Sequence, residues 1–215
     1  HSGRLLHHVI EEVLGPVETA VISGPSFAAE VAAGLPAAVT VASATAAYAA
    51  DLAERLHNAR FRAYTSGDVV GVQLGGVVKN VLAIAAGIAD GLGYGANTRA
   101  ALVTRGLAEM TRLGIAMGGQ RDTFAGLAGL GDLVLTCTDN QSRNRRFGIY
   151  LGQGLATETA LRRLGLLVEG LPAARELRNL SQAAGSEMPI SEQVYQVCYA
   201  GRPPLEAVDE LLGRQ

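Results

Sequence analysis

Two short segments of the chain contain the side chains best suited to chemistry. Residues 75–80 place Lys79 in an otherwise apolar helical stretch, and residues 142–146 place a hydroxyl, an amide and guanidinium groups at a predicted helix start. Desolvation favours the neutral form of a buried lysine, and a neutral lysine is a base. Free backbone N–H groups at a helix start, together with an arginine, bind anions such as phosphate. The two segments therefore predict a base beside a phosphate site.

Each segment also has a plainer interpretation. The four-carbon stem of Lys79 could extend its amine to solvent. Ser142 could be an ordinary helix cap, followed by a solvated basic face that includes Arg145 and Arg146. The two glycines at 75–76 favour a functional role for the lysine, because they let backbone or a ligand approach closely.

Two carboxylates have open alternatives. Asp132 could cap the helix that runs through Cys137, or it could hold the Lys79 ammonium group, and the segment alone favours the cap. Glu169 follows an apolar run, so it could accept a hydroxyl group or be only a helix-end carboxylate.

The sequence argues against two common chemistries. Gly91, Gly93 and Gly95 follow a helix and not a strand, and no complete GxGxxG motif occurs, so the dinucleotide-binding fingerprint is rejected. The histidines lie before the helical part, and Cys137 and Cys198 have no metal-ligand spacing. Zinc chemistry, any other metal site and a histidine-based triad therefore have no support.

Composition limits the classes of partner. The 215 residues contain 18 Lys+Arg and 20 Asp+Glu, a net charge of -2, which does not favour binding to nucleic acid or to an anionic membrane. No uninterrupted apolar run reaches the roughly 18 residues of a membrane span. No secretory signal opens the sequence, and its cysteines stand alone. We expect a soluble, cytoplasmic protein whose partners are small molecules or another subunit.

The elements that must position these residues change character near residues 66–67. Strands are predicted at 20–23, 37–42 and 61–64, with short helices between them. Helices are predicted at 77–89, 98–117, 123–138, 143–151, 157–164, 171–184, 191–200 and 204–213. The helix at 77–89 should be buried all round and central, whereas the helix at 98–117 should be ordinarily amphipathic, with Arg105 and Glu109 on another face than its apolar stripe.

These residues resemble the bacterial type of NAD(P)-dependent glycerol-3-phosphate dehydrogenase. The shared segments occur in the family's order over essentially the whole chain, and the ordered set is far more specific than any one of them. They are ISGPSFA at 22–28, LGGVVKN at 74–80, NTRAAL at 97–102, TRGLAEM at 104–110, GLAGLGDL at 126–133, TC at 136–137, SRN at 142–144 and VEG at 168–170.

The resemblance implies reversible hydride transfer between NAD or NADP and C2 of glycerol 3-phosphate or dihydroxyacetone phosphate. It makes Lys79 the proton acceptor, which returns a proton in the reverse direction, with Asp132 and Asn80 orienting lysine and substrate. It assigns substrate contacts to Gly24, Ser26, Lys79, Asp132, Thr136, Ser142, Arg143 and Asn144. It assigns cofactor contacts to Ala28, Arg143, Leu167 and Glu169.

The resemblance also defines the fold and one departure. It implies a mainly α chain, with an all-helical substrate domain at 67–215 preceded at 1–66 by an α/β remnant of a Rossmann-like cofactor domain. The family begins with a glycine-rich βαβ unit of roughly a hundred residues, which this chain lacks. We therefore expect a homodimeric enzyme fragment that, alone, binds NAD(P)(H) weakly and shows no turnover. The alternatives are a non-catalytic helical dimerisation or binding module, and a related NAD(P)-dependent dehydrogenase acting on another small phosphorylated alcohol.

Overall fold

The computed structural model describes residues 4–213, which form a small sheet followed by a helical assembly. The strands are β1 (Val21–Ser23), β2 (Ala37–Ala42) and β3 (Phe61–Ser66), and the helices among them are α1 (Leu6–Leu14), α2 (Ala28–Ala32) and α3 (Ala46–Leu56). β1 pairs antiparallel with β2, and β2 pairs parallel with β3. Because parallel neighbours need a crossover, α3 connects β2 to β3. All three predicted strands are confirmed.

All the regular elements in the remaining described residues are helices, which confirms the mainly α fold class. The helices are α4 (Val69–Gly91), α5 (Ala96–Ala116), α6 (Arg121–Ala125), α7 (Asp132–Thr138), α8 (Arg143–Gly152), α9 (Thr157–Leu164), α10 (Gly170–Ala183), α11 (Pro189–Tyr199) and α12 (Pro204–Gly213). The division of the chain into domains at residues 66–67 stays a prediction.

α4 is the central helix, longer at both ends than the predicted 77–89. Its N-terminus is fixed by Asp68, whose Oδ1 accepts a hydrogen bond from the Gly71 N–H at 2.8 Å. By length and composition α4 could cross a membrane, with a mean hydropathy of 1.7 over 18 residues, but 61% of that window is buried inside the protein. α5, α7, α8, α10 and α11 pack around it, so its apolar character is that of a core helix.

Glycines bring α8 unusually close to α4. A Cβ on Gly87 would lie 2.0 Å from the carbonyl oxygen of Arg145, and a Cβ on Gly152 would lie 2.9 Å from the Cα of Gly91. Since Cβ atoms essentially never approach other atoms within 3.0 Å, this contact requires glycine. It sets the start of α8 directly against the C-terminal half of α4.

The helix predicted at 123–138 is instead three pieces. α6 ends at Ala125, a π-helical turn covers Leu127–Gly131, and α7 follows. Gly126 adopts an extended conformation, with φ −91° and ψ −161°, which interrupts the helix. A Cβ on Gly129 would lie 2.2 Å from the carbonyl oxygen of Phe124, so the tight turn that follows depends on glycine.

The prediction for the polar face of α5 is wrong at Glu109. That side chain is only 2% exposed. It accepts hydrogen bonds from the Ile190 N–H at 2.6 Å and from the N–H and hydroxyl of Ser191 at 3.3 Å. The first turn of α11 leaves N–H groups without helical partners, and Glu109 satisfies two of them. Burial raises the pKa of Glu109, and these hydrogen bonds oppose the increase.

Candidate active site

Lys79 and Asp132 form an ion pair in the interior of the fold. Lys79 lies mid-way along α4 with its side chain 20% exposed, and Asp132 begins α7 with its side chain 3% exposed. The amine is therefore directed to a carboxylate and does not extend to bulk solvent, so the solvent-reaching alternative for Lys79 is wrong. The cap alternative for Asp132 is also wrong, because Gly131 occupies the N-cap position of α7 and the donors to the Asp132 carboxylate do not include a first-turn N–H of that helix.

Further donors hold the Asp132 carboxylate in place. Its Oδ2 accepts hydrogen bonds from the Gly24 N–H at 3.2 Å and from the Ser23 hydroxyl at 3.4 Å. The Thr136 hydroxyl, one turn later on α7, donates to Oδ1 at 3.3 Å and to the Asp132 carbonyl at 2.5 Å. Gly24 has φ +145°, and a Cβ there would lie 2.9 Å from the Cα of Val39, so the turn after β1 requires glycine.

Two asparagines connect α4 to the starts of α8 and α10. The Asn144 amide donates to Asn80 Oδ1 at 2.9 Å, and the Gly170 N–H donates to Asn144 Oδ1 at 2.8 Å. The Asn80 amide also donates to the carbonyl of Gly76, at 3.1 Å. A Cβ on Gly170 would lie 2.6 Å from the Asn80 carbonyl, so this junction too needs a glycine.

The start of α8 has the features of an anion site. Ser142 caps the helix, its hydroxyl accepting from the Arg145 N–H at 3.2 Å. The Arg143 side chain is 43% exposed and reaches Glu169 at 3.4 Å, and the Glu169 side chain is 54% exposed. Exposed pairs of this kind contribute only about 0–1 kcal/mol, so the guanidinium can exchange Glu169 for a better anion at little cost.

Glu169 and three other predicted positions lie toward the outside. Glu169 also accepts from the Asn80 amide at 3.5 Å, which joins it to the Lys79 side of the site. The Ser26 hydroxyl donates to the Gly24 carbonyl at 3.1 Å. Ala28 opens α2 and is exposed, and Leu167 precedes α10 and is 69% exposed. No hydrogen bond described for residues 4–213 joins Ser26, Ala28 or Leu167 directly to Lys79.

The sequence interpretation of Arg145 as part of a solvated face is wrong. Arg145 is 8% exposed, and its Nη2 lies 2.6 Å from Asp90 Oδ2, with Nη1 bonded to the Asn140 side-chain oxygen. The other oxygen of Asp90 accepts from Arg99 at 2.6 Å. Arg146 is half-buried, and its Nε has no hydrogen-bond partner. The sequence analysis missed Ser23 and Asp90. The one signal for Asp90 was its partner Arg99, which lies in the NTRAAL segment.

The arrangement combines a lysine held by a buried carboxylate with a capped, arginine-bearing helix start. The amine is placed to exchange a proton with a small molecule, and the helix start is placed to bind that molecule's anionic group. Among residues 4–213 there is no group of three or more His, Cys, Asp or Glu side chains that could hold a metal ion.

Comparisons with known proteins agree on one family. A family model described as the NAD-dependent glycerol-3-phosphate dehydrogenase C-terminus matches residues 68–209, and the corresponding N-terminus model matches residues 1–49. Glycerol-3-phosphate dehydrogenase [NAD(P)+] from Nitrosococcus oceani is 60% identical over 215 residues, covering 100% of this chain and 62% of that protein. The same enzyme from Bartonella quintana is 56% identical, covering 99% of this chain and 63% of that protein.

Solved structures show the same relationship. The crystal structure of glycerol-3-phosphate dehydrogenase from Coxiella burnetii is similar with a TM-score of 0.96 and 54% identity, over 99% of this chain and 65% of that one. The glycerol-3-phosphate dehydrogenase of Saccharomyces cerevisiae is similar with a TM-score of 0.85 and 28% identity, over 96% and 62%. The chain thus spans slightly less than two thirds of the length of these relatives.

Proposed function

The chain belongs to the NAD-dependent glycerol-3-phosphate dehydrogenase family, and from this premise we propose that its Lys79 site interconverts glycerol 3-phosphate and dihydroxyacetone phosphate by hydride transfer with NAD or NADP. The single observation that supports this most is the joining of a partly buried Lys79–Asp132 pair, through Asn80 and Asn144, to the arginine-bearing start of α8. A small phosphorylated alcohol needs a proton acceptor and a phosphate site that lie side by side, and the Asn144–Asn80 hydrogen bond brings the start of α8 next to the residue that follows Lys79.

In the proposed mechanism Lys79 exchanges the proton of the C2 hydroxyl group. It accepts that proton when the alcohol is oxidised and returns it to the forming alkoxide when the ketone is reduced. Asp132 and Asn80 orient the lysine and the substrate. Thr136 and Gly24 support this by fixing the Asp132 carboxylate from two elements, so that Lys79 presents its amine in one direction.

The phosphate group would bind at the start of α8. Asn144 and Arg143 would donate hydrogen bonds to it, and the helix start would add its positive end. The Ser142 hydroxyl is already used by the Arg145 N–H, so Ser142 would contribute by organising the turn. Ser26, beside Gly24 at the end of β1, would complete the substrate contacts.

The outward residue types fit a dinucleotide. An exposed guanidinium suits a phosphate, an exposed carboxylate suits a hydroxyl group, and exposed apolar side chains suit the face of a ring; Arg143, Glu169, Leu167 and Ala28 supply these groups. They would hold NAD or NADP on the exposed side of the site. The bound cofactor would supply the hydride acceptor or donor.

We further propose the division of the chain at residues 66–67, with residues 1–66 belonging to the cofactor domain and residues 67–215 to the substrate domain. The separate family-model matches at 1–49 and 68–209 support this division. We also propose a homodimer, from the resemblance alone, and a cytoplasmic location, which the two free cysteines support.

The role of Lys79 is tested by steady-state kinetics of the full-length protein. Lys79→Met keeps the length of the side chain and removes the amine, and it should lower kcat about 100-fold or more, the usual scale for a positioned acid–base group. Arg143→Ala should mainly raise KM, and Arg62→Ala, an exposed arginine on β3, should change neither. Near-normal turnover by Lys79→Met would refute the role.

A second test does not depend on turnover. Lys79 is the only lysine in these 215 residues, and in the ¹⁵N-lysine-labelled full-length protein its side-chain ammonium signal is identified as the one that disappears in Lys79→Met. Asp132→Asn should move that signal, because the carboxylate is its partner. Asp51→Asn, which breaks an exposed pair with Arg55, should not. A signal insensitive to Asp132→Asn contradicts the ion pair.

A further inference from the structure

We propose that Asp90 and Arg145 are positioning residues, which set the phosphate site at the start of α8 relative to Lys79 without touching substrate. The inference rests on the proposed function for the identity of the anion. It concerns Arg145, which the sequence analysis assigned to a solvated face, and Asp90, which that analysis missed. Its basis is the set of contacts that immobilise Arg145.

Three groups of Arg145 are held in place: its backbone N–H, its carbonyl and its guanidinium. Its N–H donates to the capping hydroxyl of Ser142 at 3.2 Å, its carbonyl packs against Gly87 of α4, and its guanidinium pairs with Asp90 at 2.6 Å. The residues between the cap and this anchor are Arg143 and Asn144. The two proposed phosphate ligands therefore lie within a helical turn whose far end cannot move independently of α4.

Asp90 ties this turn to one further segment, and Arg145 ties it to another. Its Oδ1 accepts from Arg99 near the start of α5, at 2.6 Å. The guanidinium of Arg145 also bonds to the side chain of Asn140, two residues before the cap. The segment on each side of Ser142 is thus held by the same buried guanidinium, which is 9% exposed.

α4 transmits this position to the base. Lys79 and Asp90 are 11 residues apart on one helix, about 16 Å along its axis at 1.5 Å per residue. The helix is continuous and buried between them. Asp90 therefore fixes the start of α8 in the same rigid frame that holds the amine of Lys79.

Helix packing alone does not explain the network. Gly87 and Gly91 already seat α8 against α4 by direct backbone contact. Buried ion pairs are often no more stabilising than apolar residues of similar size, because desolvation offsets their attraction. An ion pair adds a defined geometry. This pair lies at the first turn of α8, where the positions of the N–H groups and of Arg143 determine how an anion binds.

The test uses Asp90→Asn in the full-length protein, with Glu109→Gln as the matched control. Both changes remove one carboxylate charge that is at least largely buried, but the Glu109 partners belong to α11 and not to the site. For Asp90→Asn we expect a 10- to 100-fold loss of kcat/KM with dihydroxyacetone phosphate, mostly in KM, since displacement of about 1 Å can cost 100-fold. Glu109→Gln should lose stability without a change in KM.

Comparison with unphosphorylated dihydroxyacetone separates positioning from general damage. Asp90→Asn should weaken the preference for the phosphorylated ketone about 10-fold, because only that ketone uses the helix start. Arg145→Lys should keep part of the wild-type preference for the phosphorylated ketone, since lysine keeps the charge but cannot reach Asp90 and Asn140 together. An equal loss with both ketones, or an unchanged KM, would overturn the proposal.

Calorimetric titration with inorganic phosphate distinguishes failure of the proposed function from failure of the positioning role. If the wild-type protein turns over neither ketone but binds phosphate about 10-fold more tightly than Asp90→Asn, the positioning role stands and the reaction is wrong. If the two bind phosphate equally, the positioning role is wrong. Should Asp90→Asn not fold, Asn140→Ala removes one exposed partner of the same guanidinium and must show the same selective loss.

Discussion

Gly87→Ala should destabilise the protein although alanine is the better helix former. The added Cβ would meet the Arg145 carbonyl oxygen at 2.0 Å and the Gly148 Cα at 2.9 Å. Both are backbone atoms of α8, so no side chain can rotate away. α4 and α8 must separate by about 1 Å to restore a contact of 3 Å, the shortest that Cβ atoms tolerate.

The magnitude follows from two opposing terms. Alanine gains up to about 1 kcal/mol over glycine inside a helix. Overpacking a close-packed core costs typically about 1–3 kcal/mol and occasionally more, and a backbone obstacle belongs at the upper end of that range. We expect a net loss of about 2 kcal/mol in the free energy of unfolding.

Urea unfolding followed by circular dichroism measures this loss, with Gly106→Ala as the control. Gly106 is also buried within a helix, but the nearest atoms to a Cβ there belong to the side chain of Leu82, whose two methyl carbons lie at 2.9 Å and can rotate. The control should lie within about 1 kcal/mol of wild type. If Gly87→Ala is as stable as wild type, the closeness of the two helices is not real and the reasoning fails.

Two predictions follow from buried titratable groups. Burial raises the pKa of Glu109 above its unfolded value, so its protonation stabilises the fold below about pH 4.5 and this contribution is lost as pH rises through the folded pKa. As the pH rises from 4 to 8, the urea concentration at the unfolding midpoint should therefore fall for wild type relative to Glu109→Gln. The same pH dependence in both proteins would contradict this. Burial raises the pKa of Cys137 and Cys198 to about 12, so a disulfide reagent at pH 8 should modify them only in urea, and prompt reaction of the native protein would be inconsistent with their burial.

Local pattern was sufficient to predict most elements. The strand at 37–42 and the helices at 157–164 and 204–213 have their predicted bounds, because their apolar patterns are bounded by turn residues such as Pro36, Gly165 and Pro204. The prediction of one helix at 123–138 failed because it treated Gly126, Gly129 and Gly131 as ordinary helix positions, although glycine is a poor helix former. The interruption at Gly126 depends on backbone packing that composition does not express.

The site was predictable only in part for the same reason. The residue types of Lys79, Asp132 and Arg143 identify their chemistry, and the family resemblance supplied their roles. Sequence could not decide which partner Asp132 takes, since Lys79 is 53 residues away. Nor could it indicate that Arg145 is buried, because its partner Asp90 lies 55 residues away on another helix.

The π-helical turn at Leu127–Gly131 makes chain length, and not only residue type, a determinant of the site. A π turn contains one residue more than an α turn, and one residue rotates whatever follows by about 100° around the helix axis. Asp132 begins α7 directly after this turn, so the extra residue selects the direction in which its carboxylate leaves the helix. Among related sequences, the spacing between residue 126 and the aspartate should therefore vary less than the identity of the residues that fill it.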